Sequence, residues 1–442
     1  LAASGFAAQA SSSRASQSST RRRRRLTRRL RAGLGSRSWA ALGAVVPAVG
    51  RRSLIRMSDT PSYARAGRKL AKVHLCYYTV PMRRSTPTYI AHTQPGFEAL
   101  AAEEIAELPE GARIRGTGLV GDKNGFVEFD YAGDPSDLLE LRTVEDVFVR
   151  VAQLRDFPPT YAALRGLRDT IQRVPLDSAV ALARQVRPGR GGHGKLRFRV
   201  VARQIGRAHF RRVDAQEALE RGIAARTDRR WTLAEDGALE FWLTLLPGEA
   251  LVALRLSDER MRHRDYKLEH LPASLRPSAA AALVRLTRPR PDDVFLDPMC
   301  GAGTILIERA HAGRYRMLLG GDLSEEAVAT ALANIGPRYK PIEVRQWDAR
   351  DLPLDAGSVT AAAVNLPFGR QLGSPEQNRA LYPAVLREAG RVLRPGARLA
   401  LLSGDARALD EALRRTSALA PEASYRVQVL GAPAKLVVAR RA

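Results

Sequence analysis

Val294-Phe-Leu-Asp-Pro-Met-Cys-Gly-Ala-Gly-Thr-Ile-Leu-Ile-Glu308, followed by Asp322 and then by Asn365-Leu-Pro-Phe-Gly369, decides the reading of this chain. The first stretch is an apolar strand that runs into a glycine turn and then a helix. Gly301 and Gly303 remove the Cβ atoms that would hold a ligand off the backbone. Thr304 opens the helix, whose first N–H groups lack partners and point outward. Asp322 follows about twenty positions on, after the apolar run Met317-Leu-Leu-Gly-Gly321, the spacing at which an acid accepts from ribose hydroxyls. The dinucleotide pattern G-x-G-x-x-G would need glycine where Leu306 stands, so a phosphate-free nucleoside fits better than a pyrophosphate. A ligand-free tight turn is the bland alternative, and Asp322 and Asn365-Leu-Pro-Phe368 at their separations argue against it.

Strands and helices alternate around this motif: 293–297, 304–312, 315–321, 324–335, 342–346, 359–364, 379–393 and 398–403. Such alternation predicts a parallel sheet. Tyr425 to Leu430 and Lys435 to Ala439, joined through Gly431 and Pro433, predict a terminal hairpin. Ser278 is the expected N-cap of a helix to Leu286, after the proline-punctuated linker Leu271-Pro-Ala-Ser-Leu-Arg-Pro277.

Asn365-Leu-Pro-Phe368 directly follows the apolar strand Val359 to Val364, at the carboxyl edge where such sheets place their sites. An Asn side-chain oxygen and a backbone carbonyl can accept both hydrogens of an exocyclic amine. Proline fixes the turn, and Phe368 offers a face for an extruded base. The motif itself specifies an amine, not a particular base. Asp297 is placed to orient a cofactor's amino-acid end, and the small Cys300 to line the pocket rather than act as a nucleophile. Asp348, beside Ala349 after a third strand, is placed to accept from an adenine amine, with a solvated strand-end acid as the alternative. Asp351 reads as a cap, and Arg370 and Arg379 as grips for substrate phosphates.

Asp297-Pro-Met-Cys-Gly-Ala-Gly-Thr304 resembles the cofactor motif of S-adenosylmethionine-dependent methyltransferases, in the branch that carries a THUMP RNA-binding domain. The likeness covers roughly residues 88 to 442 and is strongest over 294–322 and 362–403. It implies an α/β, Rossmann-like class I sheet, doubly wound with an antiparallel last strand, preceded by α+β ferredoxin-like and THUMP domains. Asn365-Leu-Pro-Phe368 is similar to the Asn/Asp-Pro-Pro-Tyr/Phe tetrad of amino-methyltransferases, with Leu366 in place of the first proline. Eukaryotic-type THUMP enzymes have a similar Leu-Pro-Phe-Gly form. That departure leaves open which backbone carbonyl meets the amine. The cofactor implied is S-adenosyl-L-methionine, held by Asp297, Cys300, Gly301, Gly303, Thr304, Asp322, Asp348 and Ala349. The reaction implied is methylation of guanine N2 in tRNA. Guanine N2 of ribosomal or small nuclear RNA and adenine N6 are the alternatives. A non-catalytic THUMP adaptor is a further alternative, which intact Gly301, Gly303, Asp322 and Asn365 oppose, and a dehydrogenase is disfavoured by Leu306.

Ahead of this domain (263–442) the resemblance divides the chain into a ferredoxin-like part (87–150) and a THUMP part (151–262). Strand Tyr89 to Thr93, the Pro95-Gly96 turn, a helix Phe97 to Leu108, strand Gly125 to Asp130 and a helix from Pro135 form the first. In the second, helices are expected over 161–174, 178–187 and 214–227, and a strand over Lys195 to Ala202 that turns Leu196, Phe198 and Val200 inward. Phe198-Arg-Val-Val-Ala202, His209 to Asp214 and Leu239 to Thr244 are similar to THUMP domains, which bind the acceptor end of tRNA chiefly by shape and backbone. Ten basic and no acidic residues occur between Arg184 and Arg212. A solvated basic face is the ordinary reading, but beside a methyltransferase motif RNA backbone contact is expected from Arg190, Lys195, Arg197, Arg199, Arg203, Arg211 and Arg212.

The formal charge of +25 is uneven: residues 1 to 58 hold thirteen arginines and no acid, leaving about +12 for the rest. That moderate excess favours a polyanionic partner. Residues 1–86 read as a disordered basic, serine-rich extension. An over-extended reading frame starting in fact at Met57 or Met82 is expected ahead of a mitochondrial or plastid transit peptide or an RNA-binding arm. A cytoplasmic location is expected unless the transit reading holds. Two cysteines, Cys76 and Cys300, and seven scattered histidines argue against a disulfide framework or a metal site. No apolar run approaches a membrane span. A monomer is expected, with an activating subunit left open.

Overall fold

The computed structural model describes residues 86–121, 123–192, 194–236, 238–272, 274–369 and 374–442. The expectations for the first 85 residues, for Cys76 and for Arg370 lie outside these.

Fifteen strands form two sheets among the described residues. The first contains β1 (Thr88–Thr93), β2 (Ala112–Val120), β3 (Asn124–Tyr131), β4 (Asp146–Phe157), β5 (Leu196–Gln204), β6 (Trp231–Leu233), β7 (Leu239–Leu246) and β8 (Gly248–Arg255), in the order β2-β3-β1-β4-β8-β7-β5-β6. Its core face packs under α1 (Glu98–Ala106), α2 (Tyr161–Arg173), α3 (Asp177–Val186) and α4 (Arg212–Ala224). The expected division at 150/151 falls inside β4, which pairs with β1 on one edge and β8 on the other. Eight strands therefore share one continuous sheet. The helix expected from Pro135 is a 3-10 turn, Pro135–Leu139, capped by Asp134.

After α5 (Glu259–His263) and α6 (Pro277–Leu286) comes the second sheet: β9 (Val294–Asp297), β10 (Met317–Asp322), β11 (Ile342–Gln346), β12 (Val359–Asn365), β13 (Leu393–Ser403), β14 (Leu419–Val429) and β15 (Ala432–Arg441). The order is β11-β10-β9-β12-β13-β15-β14, with β9 to β13 parallel and β15 antiparallel to both neighbours. This is the expected doubly wound sheet with a reversed last strand. Successive residues on β9 and β12 enter cores on opposite faces, which is why these strands read as continuous apolar runs. One face carries α6, α7 (Thr304–His311) and α8 (Glu325–Ile335); the other carries α9 (Pro375–Val392) and α10 (Ala406–Arg415). α9 starts four residues before the expected 379, because Ser374 and Gln377 form a reciprocal capping box and Pro375 occupies the first turn.

Ser278 is not the N-cap expected of it. Arg276 takes that place and Pro277 opens the helix. The Ser278 hydroxyl instead donates to Glu145 (3.0 Å) and accepts from Gln94 Nε2 (2.9 Å). A second polar link joins the same parts of the chain. Glu308, buried on α7, accepts two bonds from Arg142 (both 2.9 Å) and one from the Tyr266 hydroxyl (2.6 Å). A carboxylate so buried is tolerable only with partners of this kind.

Candidate active site

The carboxyl ends of β9, β10 and β12 bring together most of the residues singled out from sequence. Asp297 ends β9 and is almost wholly buried. One carboxylate oxygen accepts from Met299 N at 3.3 Å, while Oδ2 has no partner. Burial, with the nearby charge of Asp322 adding to it, pushes the Asp297 carboxyl well above the usual range. A buried acceptor left empty is an invitation to a donor.

The turn that follows is pinned from three sides. Trp347 Nε1 donates to Pro298 O (3.0 Å), Asn334 Nδ2 to Ala302 O (3.0 Å), and Gly301 N to Asp322 Oδ2 (3.0 Å). Gly303, at φ +77°, caps α7 in the left-handed region, and a Cβ there would press on Ala331 at 3.2 Å. Gly321 has another role: a Cβ at that position would lie 2.1 Å from the Trp347 ring, so glycine is what admits the indole beneath the turn. Cys300 is buried, and its thiol is raised well above its ordinary value by burial first and by Asp297 and Asp322 next. It is a packed small side chain, not an activated nucleophile.

Asp322 ends β10, half-buried, with Oδ1 accepting from Ser324 N (3.1 Å) and Oδ2 from Gly301 N. Each carboxylate oxygen can accept a second bond, which leaves capacity for a diol. Leu323 beside it is 66% exposed, an apolar side chain next to Asp322 that sequence reading passed over. Asp348 is a third exposed, and its carboxylate is held by Arg350 through bonds of 2.6 and 3.0 Å. Those bonds hold its carboxyl below the usual range. Ala349 is buried next to it, and Asp351 N closes the turn on Asp348 O at 3.0 Å.

On β12, Asn365 is half-buried, and its Oδ1 has neither solvent nor a partner. Leu366 is fully buried and donates its N–H to Leu402 O (2.9 Å). The Tyr382 hydroxyl from α9 donates to Pro367 O and lies 2.8 Å from Ser403 Oγ. Ser403 in turn accepts from Asp405 N at 2.9 Å. Among the described residues no donor reaches the Leu366 carbonyl. Phe368 is half-exposed and packs over Gly404. Tyr382, Ser403, Asn334 and Trp347 were not found from sequence. Each looks like an ordinary core residue there, and only the folded turn shows what its polar atom serves.

The basic residues of the first sheet divide. Lys195, just before β5, and Arg197 on it are exposed, while Arg199 and Arg203 on the same side of β5 are half-buried. Arg199 pairs with buried Glu240, and Arg203 stacks over Trp242 at 5.0 Å. Arg211 and Arg212 begin α4, with Arg211 bonded to Asp214 (2.8 Å). Arg190 does not join them. Its guanidinium turns inward to the carbonyls of Ala238 and Ser257 (both 3.3 Å), and burial lowers its pKa to about 10. That is a loop clamp, a correction to the expected RNA contact.

Residues 264–432 match the family model "UPF0020: RMKL-like, methyltransferase domain". The tRNA (guanine(6)-N2)-methyltransferase of Thermus thermophilus is 30% identical over 321 residues, covering 71% of this chain and 88% of that protein. The chain belongs to this methyltransferase family. The bovine tRNA (guanine(6)-N(2))-methyltransferase THUMP3 is 35% identical over 235 residues. That match takes in 49% of this chain but 46% of the relative, so the chain spans about half the length of the mammalian proteins of that name. The crystal structure of TrmN from Thermus thermophilus superposes with a TM-score of 0.66 at 26% identity, over 80% of this chain and all of that one. No helix among the described residues is long and apolar enough to cross a membrane.

Proposed function

We propose that this family member transfers a methyl group from S-adenosylmethionine to the exocyclic N2 amine of a guanosine in tRNA. One observation carries the reading. Asn365 presents a buried, unpartnered side-chain oxygen at the end of β12, on the same sheet edge as a glycine turn backed by unpartnered Asp297 Oδ2. Both orphan acceptors suit the N–H groups of two ligands.

S-adenosylmethionine supplies an electrophilic methyl group on a sulfonium centre. Asp297 Oδ2 receives the ammonium of its amino-acid end, and that positive charge relieves the burial of the carboxylate. Asp322 accepts from the ribose hydroxyls, and Leu323 covers the adenine. Asp348, now paired with Arg350, is the residue that would accept from the adenine amine. On the substrate side, Asn365 Oδ1 accepts one amine hydrogen. The Leu366 carbonyl, which has no donor among the described residues, would accept the other. Phe368 stacks on the flipped base. Holding both hydrogens aims the nitrogen lone pair, and positioning supplies most of the rate without a strong base.

The outward arginines of β5 and the start of α4 suit contact with the RNA backbone, which fits 151–262 as the RNA-binding part. Nucleoside analysis of tRNA after incubation with the chain tests the reading. N2-methylguanosine supports it, and N6-methyladenosine alone refutes it.

A further inference from the structure

At the opposite edge of the second sheet, Arg288, Arg290, Arg394, Arg398 and Arg440 surround one cavity of about 420 Å³. Asp293 and Thr360 complete its wall where β9 and β12 begin. Thr360 and Asn365 share β12, so about five residues at roughly 3.3 Å each put some 17 Å between this cavity and the candidate catalytic turn. It is a separate place on the protein.

Its charge is not balanced from within. Asp293 accepts from buried Arg309 (2.9 Å) and from the Thr360 hydroxyl (2.9 Å). Glu422 is shared between Arg398 (3.0 Å) and Arg440, and Asp292 lies 4.0 Å from Arg394. With Arg309 counted beside its partner Asp293, six arginines against these three carboxylates leave three positive charges in excess. Among the described residues, Arg288 and Arg290 form no ion pair. Arg398 is the least exposed of the set among those in ion pairs, its side chain 14% accessible. Burial first, and Arg288 and Arg440 besides, hold its guanidinium below the ordinary value although Glu422 acts the other way.

Like charges gathered around a concave site repel one another unless an anion joins them. Guanidinium forks match phosphate oxygens two at a time. The cavity also has the size of a small-molecule site and exceeds what one phosphate needs. We propose that this cavity binds a ligand with at least two linked phosphate groups, either a free oligophosphate or consecutive phosphates of an RNA backbone. The inference does not rest on the methyl-transfer reading.

Sodium tripolyphosphate is the probe. Titrated calorimetrically into the full chain at physiological salt, it is expected to saturate a single site. Arg288→Gln/Arg290→Gln, which breaks no ion pair, should weaken binding at least tenfold while leaving the melting temperature unchanged. In parallel, arginines are modified with phenylglyoxal and mapped by mass spectrometry. Tripolyphosphate should protect this cluster. Protection by tRNA as well assigns the site to the RNA backbone, and protection by tripolyphosphate alone assigns it to a free ligand. Absence of saturable binding, equal binding by the double variant, or protection by neither anion overturns the proposal.

Discussion

Tyr382→Phe separates the shape of the catalytic turn from its polar support. The ring is fully buried and phenylalanine preserves its packing. What disappears is the hydroxyl that serves Pro367 O and Ser403 Oγ. Ser403 keeps its bond from Asp405 N, so the loss concentrates on the Pro367 carbonyl. An acceptor stranded in this way costs about 1–3 kcal/mol. At roughly 2–4 °C per kcal/mol for a chain of a few hundred residues, the melting temperature should fall by roughly 2–12 °C. Pro367 lies two residues from Asn365, and displacing a positioning group by about 1 Å lowers turnover on the order of a hundredfold. Urea denaturation, calorimetry with S-adenosylhomocysteine and single-turnover methyl transfer together read these effects. The account expects kcat to fall by one to two orders of magnitude, with cofactor affinity within about twofold of the parent. Turnover within twofold of the parent, or an equal loss of cofactor affinity, would refute the argument that this hydroxyl holds the turn.

Three further outcomes follow from the same geometry. Asp297 has a raised folded pKa, so the native chain keeps its proton above the pH at which the unfolded chain loses it. Its contribution is therefore largest below about pH 4 and declines as pH rises toward the folded value. Asp297→Asn should make the ligand-free chain more stable at pH 8, with the gain shrinking toward pH 4, while weakening S-adenosylhomocysteine at least tenfold. Denaturation curves at several pH values, with calorimetry alongside, check both signs. His92 behaves oppositely: burial, then Arg203, Arg262 and Arg255, lower its pKa to about 3. The unfolded chain binds that proton first, so stability present above about pH 6.5 is lost as pH falls toward 3, and His92→Leu should flatten that decline in acid unfolding. Removing Arg142 takes two bonds from the buried Glu308 carboxylate and leaves it the Tyr266 hydroxyl and Arg264 at 4.0 Å, so Arg142→Met should cost about 1–3 kcal/mol. The Arg142→Met/Glu308→Leu pair should cost clearly less than the two single changes added, and additivity in the cycle would deny the coupling.

The second sheet was almost fully legible because its strands are apolar on both faces and its turns are marked by glycine and proline. Asp297, the glycine turn, Asp322 and Asn365 arrive at one edge as their spacing implied. The first sheet was harder to read. β2 (Ala112–Val120) alternates half-buried with exposed residues, but two of its inward positions are Gly116 and Gly118, which give no apolar side chain to read. β4 is interrupted by register shifts that break its period against β8. Arg190 and Ser278 misled for a shared reason. Both residue types are read by their usual surface or capping roles, whereas here distant carbonyls and carboxylates claim them. Long-range partners of that kind leave no local pattern.

Methyl transfer from labelled S-adenosylmethionine into tRNA, followed by digestion to nucleosides and run beside Asn365→Ala, tests the central claim most directly. The account predicts label in N2-methylguanosine, and its loss by orders of magnitude in a variant that still binds S-adenosylhomocysteine. Undiminished transfer by Asn365→Ala, or label confined to another nucleoside, would contradict it.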